Sequence, residues 1–157
     1  MMGGNAMKVI RAHFQNFRIL RDLTLDFSTD PERKLTVIRA ENESGKTTIL
    51  TALQWALYGD SALPDNGRDY RLHPIDWDVS ASSQVPISVQ VDFETTSFRR
   101  SSHGLIEVKE CYRIVRSTHE TLEESGWGRS PSTVKLFRLT NHGNEPINPP
   151  EAVIRDV

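Results

Sequence analysis

The chain has 157 residues and a formal net charge of −2, with 37% hydrophobic and 25% charged residues. These values fit one ordinary globular domain and exclude a global attraction to nucleic acid, so any contact with DNA needs a local basic patch. Cys111 is the only cysteine, which excludes an internal disulfide and fits a reducing compartment. The sequence has neither a membrane-spanning apolar run nor a signal peptide. We therefore expect a cytoplasmic protein with no membrane contact, in which residues 1–6 are disordered and folding begins near Met7.

Two strands are predicted before residue 30. Residues 9–17 mix apolar and basic side chains, and Leu23, Leu25 and Phe27 alternate with polar residues, as in a half-buried strand. Residues 29–32 (Thr-Asp-Pro-Glu) are typical of a turn. The apolar and β-branched run over residues 35–40 then predicts a buried strand that leads into the next motif.

The most informative motif is Ala-Glu-Asn-Glu-Ser-Gly-Lys-Thr-Thr at residues 40–48. Gly45, Lys46 and Thr47 match the phosphate-binding pattern G-x-x-x-x-G-K-[ST], while Ala40 stands at the first glycine. Alanine can serve there if its φ is negative. Glu43 places an acid in an anion-binding loop, and since such loops bind through the backbone its side chain can point outward. A strand before the motif and a helix after it favour a nucleotide-binding loop over a surface turn.

Each residue type in this loop suits a triphosphate. A helix N-terminus offers N–H donors and the positive end of the helix dipole. Gly45 allows the phosphate to come close, and Lys46 carries the positive charge that reaches the β- and γ-phosphates. The Thr47 hydroxyl is a hard oxygen ligand for Mg²⁺, and Thr48 can donate to the α-phosphate. We therefore expect ATP and Mg²⁺ as cofactors and Lys46 as the catalytic residue.

A helix is predicted over residues 48–58, with Gly59 as its C-terminal stop. Its apolar residues repeat at helical spacing, so it should pack against a sheet. The predicted stripe consists of Ile49, Ala52, Leu53, Ala56 and Leu57, widened by Leu50 and Trp55. An ordinary core helix would explain this stripe equally well, but it would not explain the Gly-Lys-Thr-Thr run.

The rest of the chain predicts a long polar loop followed by β-structure. Residues 60–83 are polar and rich in turn-forming residues, with room for a helical turn. Strands are predicted over residues 85–93, 106–114 and 133–139, with a loop over 120–132 and a turn over 141–144 before Pro149-Pro150. Small-molecule kinases and GTPases would instead continue with further βα units. We expect an α/β fold, with a mixed sheet around the P-loop helix plus an antiparallel β-meander, forming one lobe of a larger head.

Three segments carry a family resemblance: residues 9–18, 23–27 and 35–59. Asn16-Phe17-Arg18, then Asn-x-x-Gly-Lys-Thr-Thr, then a helix ending Ala-Leu-Tyr-Gly together resemble the N-terminal lobe of SMC-type (AAA_23-like) ATPase heads. That clan includes RecF, RecN, SbcC-type repair ATPases and DndD-type ATPases of DNA phosphorothioation. Beyond residue 60 the resemblance rests on topology and on the basic strand at residues 112–116.

The resemblance implies a site and a set of partners. The phosphates would be bound by Asn42, Glu43, Ser44, Gly45, Lys46, Thr47 and Thr48. Arg18 would approach the phosphates from the first strand, and residues 72–77 would lie near the base or ribose. The alternatives are a surface arginine at a strand end and an apolar anchor at Trp77. ATP would join two heads and hydrolysis would release them, in DNA repair, DNA modification or anti-phage defence. The implied partners are the C-terminal lobe of the same ATPase, a second head in a homodimer, DNA and a nuclease subunit.

Two parts of a hydrolytic site are not found in the sequence. No apolar run after the helix ends in Asp-Glu, and there is no Leu-Ser-Gly-Gly-type signature. We therefore expect the chain alone to bind ATP weakly and not to hydrolyse it. Two other functions stay open, a small-molecule or nucleotide kinase fragment and a non-enzymatic module with a vestigial P-loop.

Other candidate sites are weaker. Arg99, Arg100, Arg113 and Arg116 could form a basic patch for the DNA backbone, although a solvated hairpin is favoured. No histidine has a partner at metal-ligand spacing, so no zinc site is expected.

Overall fold

The computed structural model describes residues 6–39, 41 and 45–148, which form a seven-stranded sheet with an α-helix packed against one face. All strand pairs among these residues are antiparallel, and the strand order is β2-β1-β3-β4-β6-β7, with β5 pairing β4. The strands are β1 (Ala6–Phe17), β2 (Leu20–Asp26), β3 (Gln84–Ser101), β4 (Gly104–Glu123), β5 (Gly126–Arg129), β6 (Thr133–Thr140) and β7 (Gly143–Ile147). The helix α1 is Lys46–Tyr58, followed by short 3-10 turns at Asp60–Ala62 and Pro64–Gly67. The predicted α/β class and antiparallel meander are confirmed.

The core lies between α1 and one face of the sheet. In β3 the inward residues alternate with polar ones, as expected for a strand with one covered face. Val85, Val89 and Val91 have no exposed surface, and Phe93 is 2% exposed. The sheet is therefore half-buried, with α1 covering its apolar side.

The helix begins at Lys46, two residues earlier than predicted, and ends before Gly59 as expected. Ile49, Ala52, Trp55 and Ala56 are buried, while Leu53 and Leu57 are partly buried against the core. The assignment of Leu50 to the stripe was wrong, since 56% of its surface is exposed. At about 100° per residue, Leu50 lies on the side of the helix opposite to Ala52, Trp55 and Ala56, so it faces away from the sheet.

The predicted strand over residues 35–40 does not form within the described residues 35–39. Leu35 is 78% exposed and Val37 67% exposed. A strand needs a neighbour for its backbone hydrogen bonds, and none of the described strands pairs with this segment. The segment is instead tied to the end of β2, where the Ser28 N–H donates to Thr36 Oγ1 at 2.8 Å. The predicted mixed sheet depended on this strand. Since the strand does not form within residues 35–39, the described part of the sheet contains no parallel pair.

The predicted loop over residues 120–132 was also wrong. Strand β4 continues to Glu123 and turns into β5, with Leu122 opposite Trp127. The strand was hidden because Thr118 and Glu120 occupy inward positions, so the apolar alternation stops before the strand does. Gly126, at φ +116°, provides the backbone conformation of the hairpin turn.

The chain ends bear on three predictions. Strand β1 begins at Ala6, close to the predicted start at Met7, whereas residues 1–5 and the Pro149-Pro150 pair lie outside the described residues.

Within the described ranges, no helix has the length and apolarity needed to cross a membrane.

Candidate nucleotide-binding site

The N-terminus of α1 has features that suit an anion. Its first turn contains no acidic residue, and its N-cap makes no side-chain hydrogen bond. Lys46 and Thr47 are exposed and Thr48 is half-buried, while the Thr51 hydroxyl donates to the Thr47 carbonyl at 3.0 Å. The first N–H groups of a helix have no partner within the helix, and such helix ends commonly bind anions. The predicted ligands Asn42, Glu43 and Ser44 lie outside the described residues, as does Ala40.

Gly45 identifies the residue that packs against the N-terminus of α1. It is buried at φ +99°, and a Cβ at this position would lie 2.7 Å from Ile19 Cδ1 and 3.1 Å from Ile19 Cγ1. Glycine suits this left-handed conformation, and any larger residue would require the Ile19 side chain to move. The turn between β1 and β2, which contains Arg18 and Ile19, therefore packs directly against the start of α1.

The Asn-Phe-Arg motif shapes that turn. Asn16 and Arg18 both adopt positive φ, at +53° and +52°, and the Asn16 side chain donates to the Pro86 carbonyl at 2.9 Å. Phe17 is fully buried, and the centre of its ring lies 5.6 Å from the centre of the Trp55 ring. Asparagine tolerates the left-handed region better than most residues, and its side-chain hydrogen bond holds it there. The motif thus links the turn to both β3 and α1.

Arg18 is bound to the long segment after the helix. Its N–H donates to the Leu72 carbonyl at 2.6 Å, and its Nη1 donates to the Arg71 carbonyl at 3.0 Å. The guanidinium carbon lies 4.7 Å from the centre of the Tyr70 ring. Arg18 is therefore part of an ordered contact rather than a solvated strand end. Its approach to the phosphates stays a prediction.

A cleft of about 290 Å³ lies beside this contact. It lies between the turn next to Gly45 and the segment that Arg18 holds, and Ile19 is the residue of its lining that packs on Gly45. Its lining residues are Arg18, Ile19, Asp69, Arg71, His73 and Ile75. The cleft mixes cationic, polar and apolar groups, which is the chemistry that suits a base and ribose next to a phosphate site.

Residues 72–77 mostly anchor the segment. Leu72 and Pro74 are fully buried, and Trp77 is partly buried with its Nε1 donating to the Ser82 carbonyl at 2.9 Å. Trp77 therefore has the contacts of an apolar anchor, the alternative considered above. Ile75, by contrast, is 96% exposed at the rim of the cleft. Of this segment, Ile75 is the apolar group available to a ligand.

Glu120 was missed by the sequence analysis, although its side chain is only 4% exposed. Its carboxylate accepts hydrogen bonds from the Leu72 N–H at 3.1 Å and the His73 N–H at 2.9 Å. It also contacts His73 Nδ1 at 2.5 Å and Arg129 Nε at 3.0 Å. Burial by itself would raise the pKa of Glu120, but these hydrogen bonds outweigh it and lower the pKa. A charged residue at an inward position of an alternating strand was the signal that could have found it.

Strand β5 completes the surroundings of Glu120. The Trp127 ring stacks on His73, with centres 4.0 Å apart, and Arg129 donates through Nη2 to the Tyr70 carbonyl. Trp127 and Arg129 also line a second cleft of about 670 Å³ on the other side of residues 67–71. The long segment is thus held between the β1–β2 turn and β5.

The four arginines considered as a basic patch do not come together, in line with the solvated hairpin that the sequence favoured. Arg113 makes a two-point ion pair with Asp92, at 2.7 and 2.8 Å. Arg116 is buried, with its Nε donating to the Ala56 carbonyl at 3.1 Å. Both side chains are oriented by the fold, because each is held by its own partners. Only Arg99 and Arg100 are exposed, in the part of the β3–β4 hairpin that extends past β1.

The described residues fit a phosphate group and a hydrated cation. The features that suit the phosphate are a glycine at positive φ beside Ile19 and a first helical turn without an acid. For the metal, Thr47 offers one hydroxyl, and the part of the chain that the structure describes contains no group of three His, Cys, Asp or Glu side chains able to hold an ion. Mg²⁺ is commonly held by few protein ligands, substrate phosphates and water, so this donor set suits it.

Comparisons with known proteins identify the family of this chain. The family model of an AAA domain, AAA_23, matches residues 11–143. The chain is also 30% identical over 89 residues to the SbcC subunit of the nuclease SbcCD of Staphylococcus saprophyticus subsp. saprophyticus. The alignment covers 56% of this chain but only 8% of that relative. The match therefore concerns a small part of a much longer protein.

Proposed function

Because the chain belongs to the AAA_23 family of AAA domains and corresponds to the N-terminal region of SMC- and SbcC-type ATPases, we propose that it is the ATP-binding lobe of a DNA-associated ATPase head. The observation that carries the proposal is the packing of Gly45 against Ile19. Ile19 is the residue that both packs on Gly45 and lines the 290 Å³ cleft, which supports a site that extends from the start of α1 to the cleft.

The phosphates are assigned to the start of α1. Lys46 neutralises their charge and acts as the catalytic residue, Thr47 supplies a ligand to Mg²⁺, and Thr48 donates to the α-phosphate. ATP supplies the phosphoanhydride bond whose cleavage drives the cycle of the head. In this assignment Asn42, Glu43 and Ser44 complete the loop around the phosphates.

The base and ribose are assigned to the neighbouring cleft. Arg18 stands between the two halves of the site, since it belongs to the turn at Gly45 and also lines the cleft. Ile75 offers an exposed apolar surface for a base. Apolar contact with a few polar groups is the usual composition of such a site.

The site is completed by other parts of the ATPase. The exposed side chains of Leu35, Val37 and Ile38 form an apolar run with no strand partner among residues 6–39, 41 and 45–148. We assign this run to pairing with a C-terminal lobe, which would give the P-loop NTPase arrangement of ABC and SMC heads. A second head, DNA and a nuclease subunit are the further partners in this proposal. The exposed hairpin at Arg99 and Arg100 is available for DNA.

Replacing Lys46 with alanine tests the proposed function. In the full-length protein we expect MgATP binding to weaken by about 1.5–3 kcal/mol, or about 10–150-fold, because a charged hydrogen bond to phosphate is lost. Isothermal titration calorimetry measures the change. Lys135→Ala is the matched control, since it removes the same charge from an exposed position on β6.

The outcomes separate the three candidate functions. Unchanged MgATP affinity in Lys46→Ala would reject the assignment of the loop. Wild-type protein that binds no nucleotide would favour the non-enzymatic module. Transfer of the γ-phosphate to a small molecule, rather than hydrolysis, would favour a kinase.

A further inference from the structure

The buried carboxylate of Glu120 is used entirely within the protein. Both oxygens accept hydrogen bonds and the side chain is 4% exposed, so the carboxylate is paired within the protein, although Glu120 also lines the 670 Å³ cleft. Burying a charge is unfavourable unless it is well paired. A buried carboxylate paired in this way, near the end of a strand, fixes the position of the backbone groups that donate to it, the Leu72 and His73 N–H groups.

The segment that Glu120 holds is the one that binds Arg18. The Leu72 N–H donates to Glu120 at 3.1 Å, and the carbonyl of the same residue accepts from the Arg18 N–H at 2.6 Å. Leu72 thus connects the carboxylate on β4 to the β1–β2 turn through its two backbone groups. Because Ile19 follows Arg18 and packs on Gly45, the connection reaches the start of α1.

The turn needs such support, since its backbone is strained. Arg18 is at φ +52°, in the left-handed region that side chains other than glycine and asparagine rarely adopt. Strain of this kind persists where the surroundings fix the conformation. The two hydrogen bonds from Arg18 to the Leu72 and Arg71 carbonyls provide that fixation.

We propose that Glu120 is a positioning residue of the nucleotide site, acting through Leu72 and Arg18 to hold the β1–β2 turn and the cleft against the start of α1. The inference rests on the proposed function. It assigns to β4 a role in base and ribose binding, although no atom of β4 lines the 290 Å³ cleft.

The test compares two buried carboxylates in the full-length protein. Glu120→Gln removes one charge near the cleft. Asp92→Asn is the control, because Asp92 is also buried and paired with an arginine, Arg113, but has no contact with residues 69–75. Each variant is titrated with MgATP and with magnesium tripolyphosphate, which carries the phosphates without base or ribose. Titrations are made below the unfolding temperature of each variant.

Glu120→Gln is expected to raise the dissociation constant for MgATP at least about tenfold, since small displacements of a site are costly. Its affinity for tripolyphosphate should change much less, and Asp92→Asn should leave both affinities near wild type. His73→Gln removes the imidazole contact with Glu120 at 2.5 Å together with the stacking on Trp127; it should give a smaller loss in the same direction and serves if Glu120→Gln does not fold.

Equal MgATP affinity in wild type, Glu120→Gln and His73→Gln would overturn the positioning role while leaving the proposed function intact. Equal losses for MgATP and tripolyphosphate, matched by Asp92→Asn, would show that Glu120 acts only on general stability and would also overturn it. Wild-type protein that binds neither ligand would reject the proposed function itself.

Discussion

Replacing Trp55 with alanine is expected to lower the free energy of unfolding by about 3–5 kcal/mol, which is the usual effect of removing a large aromatic side chain from a core. Trp55 has no exposed surface and packs 5.6 Å from the ring of Phe17, so it joins α1 to β1. Its Nε1 also donates to Asp60 Oδ1 at 2.7 Å, which fixes the chain after the helix. Urea-induced unfolding, followed by far-ultraviolet circular dichroism, measures the loss.

Tyr58→Ala is the matched control for Trp55→Ala. Tyr58 is an aromatic residue of the same helix, but 67% of its surface is exposed, so its removal should change the free energy of unfolding by less than about 0.5 kcal/mol. Trp55→Phe keeps most of the packing and isolates the hydrogen bond to Asp60, with an expected loss of about 1–3 kcal/mol. Similar losses for Trp55→Ala and Tyr58→Ala would contradict the packing of α1 on the sheet.

Replacing Gly45 with alanine is expected to weaken both folding and MgATP binding. The left-handed conformation at φ +99° should cost an alanine about 1–2 kcal/mol in the free energy of unfolding. The new Cβ would also displace Ile19, which lies 2.7 Å from its position. Because the turn and the cleft move with Ile19, MgATP affinity should fall at least about tenfold in calorimetry.

Gly126→Ala separates the two effects of Gly45→Ala. Gly126 also has a positive φ, +116°, but no atom lies within 4 Å of its would-be Cβ. The control should therefore lose stability without losing MgATP affinity. Adding Ile19→Ala to Gly45→Ala should recover part of the affinity, because it removes the clashing side chain. Equal MgATP affinity in Gly45→Ala and Gly126→Ala would refute the link between this contact and the site.

The sequence predicts most of the fold where one residue pattern decides one structure. The alternation in β3 and the apolar spacing in α1 report directly which faces are buried, so both elements were identified with small errors at their ends. The prediction of a strand over residues 35–40 failed because its apolar pattern is not matched by burial among the described residues, where Leu35 is 78% and Val37 67% exposed. The end of β4 was missed for the opposite reason. Glu120 is polar but buried, because its hydrogen-bond partners, Leu72 and His73, lie inside the protein.

The sequence predicted the phosphate-binding motif of the candidate site but not the contacts that hold the neighbouring turn in place. Gly45, Lys46 and Thr47 are recognisable because the chemistry of phosphate binding restricts residue types at fixed spacing. Arg18 was found through the family resemblance, but its partners, the Leu72 and Arg71 carbonyls, could not be predicted. Backbone carbonyls have no residue signature, and these contacts join segments more than fifty residues apart.

Photolabelling of the full-length protein with 8-azido-ATP and Mg²⁺, followed by peptide mapping, tests the location of the nucleotide most directly. We expect the label on residues 69–75 or on the turn at Arg18 and Ile19, removed by competing ATP and absent in Lys46→Ala. A label confined to β5 around Trp127 and Arg129, or one that persists in Lys46→Ala, would contradict a nucleotide site at the start of α1.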